Sequence, residues 1–317
     1  METKVNSMPV HLLLKGKRNI IKKRVKRYWQ LYLLILLPMI YLIIFKYIPM
    51  FGVQIAFKDY NFAKGIWGSE WVGFKHINQF FSSPNFSLTV GNTLEISIIS
   101  LILNFSAPII LALFLNELRT GLFKKSVQMI TYAPHFISTV VMCGMILLFL
   151  SPTGELGDLF KVFGMVPINY LSSASKFKFV YALTDMWQHT GYGSIIYLAA
   201  LSSINVELYE AARIDGASRF RKMLNIDLPG ILPVIMILLI LNTGNVLNVG
   251  FEKIYLLQNS LNLTGSEVIS TYVYKVGLIN SNYSYSAAIG LFNSIITFIL
   301  LVFVNWISRR LTEFSLW

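Results

Sequence analysis

Few side chains in this sequence could do chemistry, and their spacing says which kind. Asp185, Gln188, His189 and Tyr192 stand at i, i+3, i+4 and i+7 in a largely apolar run, a spacing that puts all four on one face of a helix. Trp187 lies beside that face, and Asn242, Asn245, Asn248 and Asn293 follow in later apolar runs. Amides and carboxylates pair with hydroxyls, and a tryptophan or tyrosine ring covers the apolar face of a cyclic ligand. Such a set suits binding and conduction better than hydrolysis. No G-x-S-x-G elbow or usably spaced pair of catalytic acids occurs. His135 and His189 lack a third partner at metal-like spacing. The single cysteine, Cys143, can form neither an internal disulfide nor a CxxC site.

The elements that must hold these residues follow from composition. Of 317 residues, 55% are hydrophobic and 13% charged, about half the roughly 25% charge of a soluble globular chain. The mean hydropathy is +0.60. Apolar stretches at about 31–51, 90–115, 127–150, 179–201, 229–250 and 286–308 each approach the ~20 residues that cross a bilayer core. Six spans predict an all-α membrane protein with both termini on one side. Aspartate at mid-span costs ~2.5–3.5 kcal/mol, so each intramembrane polar group needs a reason. Lining a cavity that opens outward is one reason; hydrogen bonding across helices is the other. Glu95, just inside span two, is expected to pair or to reach water, and His135 to bond at a kink beside Pro134. Pro38, Pro108, Pro134 and Pro233 are expected to bend or open their spans.

The net charge of +12, from 27 Lys+Arg against 15 Asp+Glu, could mark nucleic acid or membrane orientation. Position decides. With the N-terminus inside, 18 of the 27 fall in cytoplasmic segments, nine of them in 1–30. The basic excess therefore sets orientation, and no nucleic-acid partner is expected. Residues 15–27 should meet anionic membrane lipid at the inner leaflet.

The cytoplasmic loop between spans four and five is the most informative segment. Asn205 is a good helix cap and Glu207 places negative charge in the first turn. Gly216 supplies the stop. A helix of about ten residues is too short to persist alone in water and must dock. Leu208, Ala211, Ala212 and Ile214 offer it small apolar contacts, and Glu207, Glu210, Arg213 and Asp215 offer charge. A second helical stretch, Ser218 to Asp227, runs into Pro229 at the start of span five.

Glu210-Ala211-Ala212, three residues, Gly216, nine residues, then Ile226-Asp227-Leu228-Pro229 resembles the EAA loop of ATP-binding-cassette importer permeases. The resemblance implies a type I ABC importer permease fold with a cytoplasmic coupling helix. Glu207, Leu208, Glu210, Ala211, Ala212, Asp215, Gly216 and Pro229 would then form the ATPase-coupling segment. It also implies two ATPase subunits carrying ATP and Mg, a second homologous permease, and an extracellular or periplasmic solute-binding protein at a bacterial cell membrane. The chain itself has no phosphate loop: Gly16-Lys17 is followed by Arg18 and lacks the upstream glycine. No cofactor and no catalytic role are therefore expected on it.

Asp185-Met-Trp-Gln-His-Thr-Gly-Tyr-Gly to Ala199-Ala200-Leu201 resembles the carbohydrate uptake type 1 branch. Ala56-Phe-Lys-Asp-Tyr60, Gly68-Ser-Glu-Trp-Val-Gly-Phe74 and the terminal Ser315-Leu316-Trp317 are similar to its oligosaccharide and polysaccharide members. Asn205 departs from the proline common there, but it caps a helix equally well. The expected division is a basic cytoplasmic segment 1–30, a first helix and outer segment 31–85, and an ABC transmembrane type-1 domain 86–308. The coupling loop is 205–229 and the cytoplasmic tail 309–317. Lys58, Lys64 and Lys75 on the outer side suit an anionic saccharide or a binding protein. The competing reading is an ion-gradient-driven secondary carrier with a proton site at Asp185 and His189. The lack of an internal repeat and the presence of a docking loop speak against it.

Overall fold

The computed structural model describes residues 26–164 and 169–312. Most of the basic stretch 1–30, and Ser315-Leu316-Trp317, lie outside the described residues. The first span is Trp29–Phe57. It comprises α1 (Trp29–Leu42), a π-turn Ile43–Tyr47, a helical turn Ile48–Met50 and a 3-10 stretch Phe51–Phe57. The wider π-turn ends just before Pro49, where it accommodates the missing N–H and the bulk of the ring. The most apolar part of this span is not buried anywhere in the chain. A helix apolar on all sides belongs in lipid or against another membrane protein.

The segment after the first span, expected on the outer side, forms an antiparallel pair, β1 (Lys58–Asp59) with β2 (Glu70–Trp71), and then α2 (Lys75–Phe81). Buried Lys58 donates to the Ile66 carbonyl at 2.8 Å, with its ammonium 5.9 and 5.8 Å from the Trp67 and Trp71 ring centroids. The Lys75 ammonium, 2.6 Å from Asp59, holds that carboxyl below its usual range. Two of the three lysines expected on the outer side are thus engaged within the segment, and Lys64 remains exposed.

α3 (Pro84–Glu117) begins with Ser83 accepting from the Asn85 N–H and Pro84 in the first turn, the favoured start of a helix. The expected third span, 127–150, is not one helix. α4 (Leu122–Tyr132) passes through a 3-10 turn Ala133–Phe136, and α5 (Thr139–Phe149) sets off at 104° to it. Pro134 cannot donate to the turn before it, and extended Ser138 caps the new helix by accepting from Val141 N–H. By contrast, helices continue through Pro38, Pro108 and Pro233.

α6 (Ala174–Ser202) runs along α3. A Cβ at Gly191 would overlap the Thr131 carbonyl, and one at Gly193 would stand 3.2 Å from Pro108 Cγ, so glycines permit the close approach. Glu95 pairs with Lys178 of α6 at 2.5 Å. α7 (Val206–Ile214) turns 76° from α6. α8 (Arg219–Lys222), capped by Ser218, continues through a π-turn Met223–Asp227 into α9 (Leu228–Thr243). The expected fifth span reached 250, but the helix ends at Thr243. Gly and Asn at 244 and 245 favour turns over helix, and the Thr243 hydroxyl bonds back to Leu239. α10 (Phe251–Leu257), α11 (Ile269–Tyr274) and the last span α12 (Tyr283–Thr312) follow. Among the described residues, four helices are long and apolar enough to cross a membrane, and up to six if each bent pair counts as one.

Three apolar clusters hold the bundle. One gathers Ile96, Met142, Phe177, Tyr181 and Ile254; a second gathers Ile109, Ala112, Tyr197 and Ile231. A third, with Phe80, Ile269, Tyr285 and Ile289, joins α2 to the last helices.

Candidate functional site

Between the first two clusters lies a cavity of about 390 Å³, lined by Tyr181 from one and Tyr197 from the other. α3 contributes Ser97, Ser100 and Asn104, α6 contributes Asp185 and His189, and α9 contributes Asn242. Asn245 and Asn248 come from the turn after α9 rather than from a continuing helical face. Non-helical backbone at membrane depth is tolerated where it lines a cavity. Five of the nine residues expected in the pathway therefore meet here: Asp185, His189, Asn242, Asn245 and Asn248.

The other four do not line it. The face formed by Asp185, Gln188, His189 and Tyr192 is divided by the break between α4 and α5, which presses against α6. Buried Gln188 donates to the Ile137 carbonyl at 3.4 Å and accepts from Lys253 Nζ at 3.2 Å. Tyr192 stacks on His135 with ring centroids 4.0 Å apart. Trp187 is half-exposed, and Asn293 on α12 does not reach the cavity.

Among the described residues Asp185 is the only acid on the wall, and it is matched. Its carboxylate accepts from Asn104 Nδ2 at 2.8 Å and from Lys253 Nζ at 3.3 Å, with His189 Nε2 at 3.7 Å. The Lys253 side chain is 4% exposed and its ammonium also faces the Tyr181 ring at 5.7 Å. A charge so buried persists only with a partner. His135 Nδ1 and His189 Nδ1 are 3.1 Å apart, so one ring donates and the other accepts.

Sequence reasoning missed Asn104, Ser97, Ser100 and Lys253. Asn104 carried a signal: it is an amide within Leu103-Asn104-Phe105 of an apolar span, the criterion applied to spans four to six. Lys253 stands beyond the expected end of span five, and only the fold brings it 68 positions back to Asp185.

On the other side of the bundle, α7 has the expected caps. Asn205 Oδ1 accepts from Glu207 N–H at 3.0 Å. Gly216, at φ +69°, closes a Schellman turn with Gly216 N–H to Arg213 carbonyl at 3.2 Å and Ala217 N–H to Ala212 carbonyl at 2.9 Å. Glu207, Leu208, Glu210, Ala211, Asp215 and Gly216 are exposed, Ala212 is half-buried, and Pro229 sits in the first turn of α9. The Tyr209 hydroxyl donates to buried Asp227, a link the sequence reasoning did not single out.

Comparison with known proteins places this arrangement. Residues 105–313 match the family described as binding-protein-dependent transport system inner membrane component. The polygalacturonan/rhamnogalacturonan transport system permease protein YteP of Bacillus subtilis (strain 168) is 44% identical over 300 residues, covering 94% of this chain and 93% of that protein. A permease chain in the crystal structure of a bacterial ABC transporter involved in the import of the acidic polysaccharide alginate superimposes with a TM-score of 0.86. It is 39% identical, covering 92% of this chain and 99% of that one. The same fit, at 93% and 99% coverage, is found with the alginate transporter in complex with its alginate pentasaccharide-bound periplasmic protein. With the cavity and the capped helix α7 in place, the chain belongs to the binding-protein-dependent inner membrane components, the membrane-embedded permease subunits of ABC importers of the sugar class.

Proposed function

We propose that this chain forms one half of the translocation pathway for acidic oligosaccharides, and that α7 docks on a cytoplasmic ATPase. One observation carries the reading: a cavity walled by Asn104, Asn242, Asn245 and Asn248, whose single acid is paired with Lys253. The amides donate to hydroxyl and carboxylate oxygens, and a paired Asp185 does not repel an anion as a free carboxylate would. The polygalacturonan and rhamnogalacturonan named for YteP and the alginate of the solved importer support an acidic cargo.

A second homologous permease completes the path, a solute-binding protein delivers the cargo, and two ATPase subunits bind ATP and Mg. Both termini face the cytoplasm. Nucleotide favours one state of the ATPase pair, and the docked helix passes that bias to the spans, which alternate between outward and inward access. The ion-gradient carrier is not favoured, since Asp185 is held by Lys253 and Asn104.

Uptake by the complete importer in proteoliposomes tests both parts. Trigalacturonate should be accumulated on ATP addition and neutral arabinotriose should not; the reverse preference would overturn the acidic class. Glu210→Ala and Gly216→Val should abolish uptake, and normal uptake in both, with assembly intact, would overturn the docking assignment.

A further inference from the structure

α7 is scarcely held by the rest of its own chain: seven of its nine residues are exposed, and only Tyr209 and Ala212 are half-buried. Tyr209 is the one whose polar end reaches inward. Its hydroxyl donates to Asp227 Oδ1, with the Asn116 side chain, near the end of α3, beside the phenol. Asp227 is fully buried where the π-turn meets α9, and its Oδ2 has no hydrogen-bond partner among the described residues. The carboxylate therefore depends on the phenol for satisfaction. Burial, with Asp227 beside it, pushes the phenol up, so Tyr209 keeps its proton and remains the donor.

The covalent route from α7 to α9 runs through the Gly216 turn, α8 and a π-turn, whereas this hydrogen bond joins residues 18 positions apart directly. The nearby contact of Arg219 on α8 with Glu117 on α3 is 3.9 Å long with Arg219 exposed, too loose and solvated to transmit force. We infer that the Tyr209–Asp227 bond is the strut through which displacement of α7 moves the start of span five. Tyr209 is then a positioning residue that faces away from the docking surface. The inference rests on α7 being the ATPase-docking helix.

The test uses the complete importer in proteoliposomes and reads saccharide moved per ATP hydrolysed. Tyr209→Phe and Asp227→Leu should each lower that ratio about tenfold, the equivalent of ~1.4 kcal/mol. Asp227→Asn keeps an acceptor for the phenol and should stay within about twofold of the native ratio. Tyr209→Phe combined with Asp227→Leu should be no worse than either alone, as expected of two ends of one bond. An unchanged ratio in Tyr209→Phe, additive losses in the double variant, or loss in Asp227→Asn equal to that in Asp227→Leu would each overturn the strut. So would failure of Tyr209→Phe to co-purify with the ATPase subunits, since its hydroxyl should not affect docking. Failure of the docking reading itself looks different: Glu210→Ala would then retain both assembly and ratio.

Discussion

Replacing Lys253 by methionine keeps an unbranched stem of nearly the same length and removes the ammonium. Asp185 would lose a partner at 3.3 Å and Gln188 a donor at 3.2 Å, while Asp185 would retain the Asn104 amide at 2.8 Å. Removing one member of a buried ion pair costs about 3–5 kcal/mol, because the other charge is left uncompensated. Asp185 keeps one amide and is 18% exposed toward the cavity, so the lower end, about 3 kcal/mol, applies. Asp185→Asn alone should cost a similar amount by stranding the ammonium. Lys253→Met with Asp185→Asn removes both charges and should restore stability to within about 1 kcal/mol. Thermal unfolding of the assembled importer in detergent measures this, and uptake measured in parallel separates stability from passage. The double variant should unfold near the native temperature yet transport poorly, because Asp185 also lines the cavity. A native unfolding temperature for Lys253→Met, or additive losses in the double variant, would refute the pairing argument.

Two further outcomes are expected. Gly191→Ala should lower the yield and unfolding temperature of the assembled importer, since its Cβ would overlap the Thr131 carbonyl and force α6 from α4, an overpacking cost of ~1–3 kcal/mol. Gly91→Ala, with nothing within 4 Å of its Cβ, is the silent control. Asn104→Ala should lower saccharide uptake several-fold, whereas Trp187→Ala, half-exposed and off the cavity, should transport at close to the native rate. Uptake curves at graded cargo concentration decide; the opposite ranking would place the path outside this cavity.

The sequence by itself determined whatever depends on neighbours along the chain. Apolar runs declare spans because the cost of burying a polar group in lipid is paid residue by residue. Asn205 and Gly216 declared both ends of α7 because caps are made within one turn of backbone. Helical periodicity put Asp185 and His189 on one face, and both line the cavity, but it could not say that the break at Pro134 would engage Gln188 through the Ile137 carbonyl and stack His135 on Tyr192. Nor could a hydropathy window see that α9 stops at Thr243, since Asn245, Val246, Leu247 and Asn248 remain apolar enough on average to extend a span. The pairing of Lys253 with Asp185 and the bond from Tyr209 to Asp227 belong wholly to the tertiary structure. Side-chain type announces that a buried charge or phenol needs a partner. Only the packing of α6 against α10, and of α7 against the π-turn before α9, decides which partner lies within 3.5 Å, because that distance is fixed by how helices cross and not by any local preference.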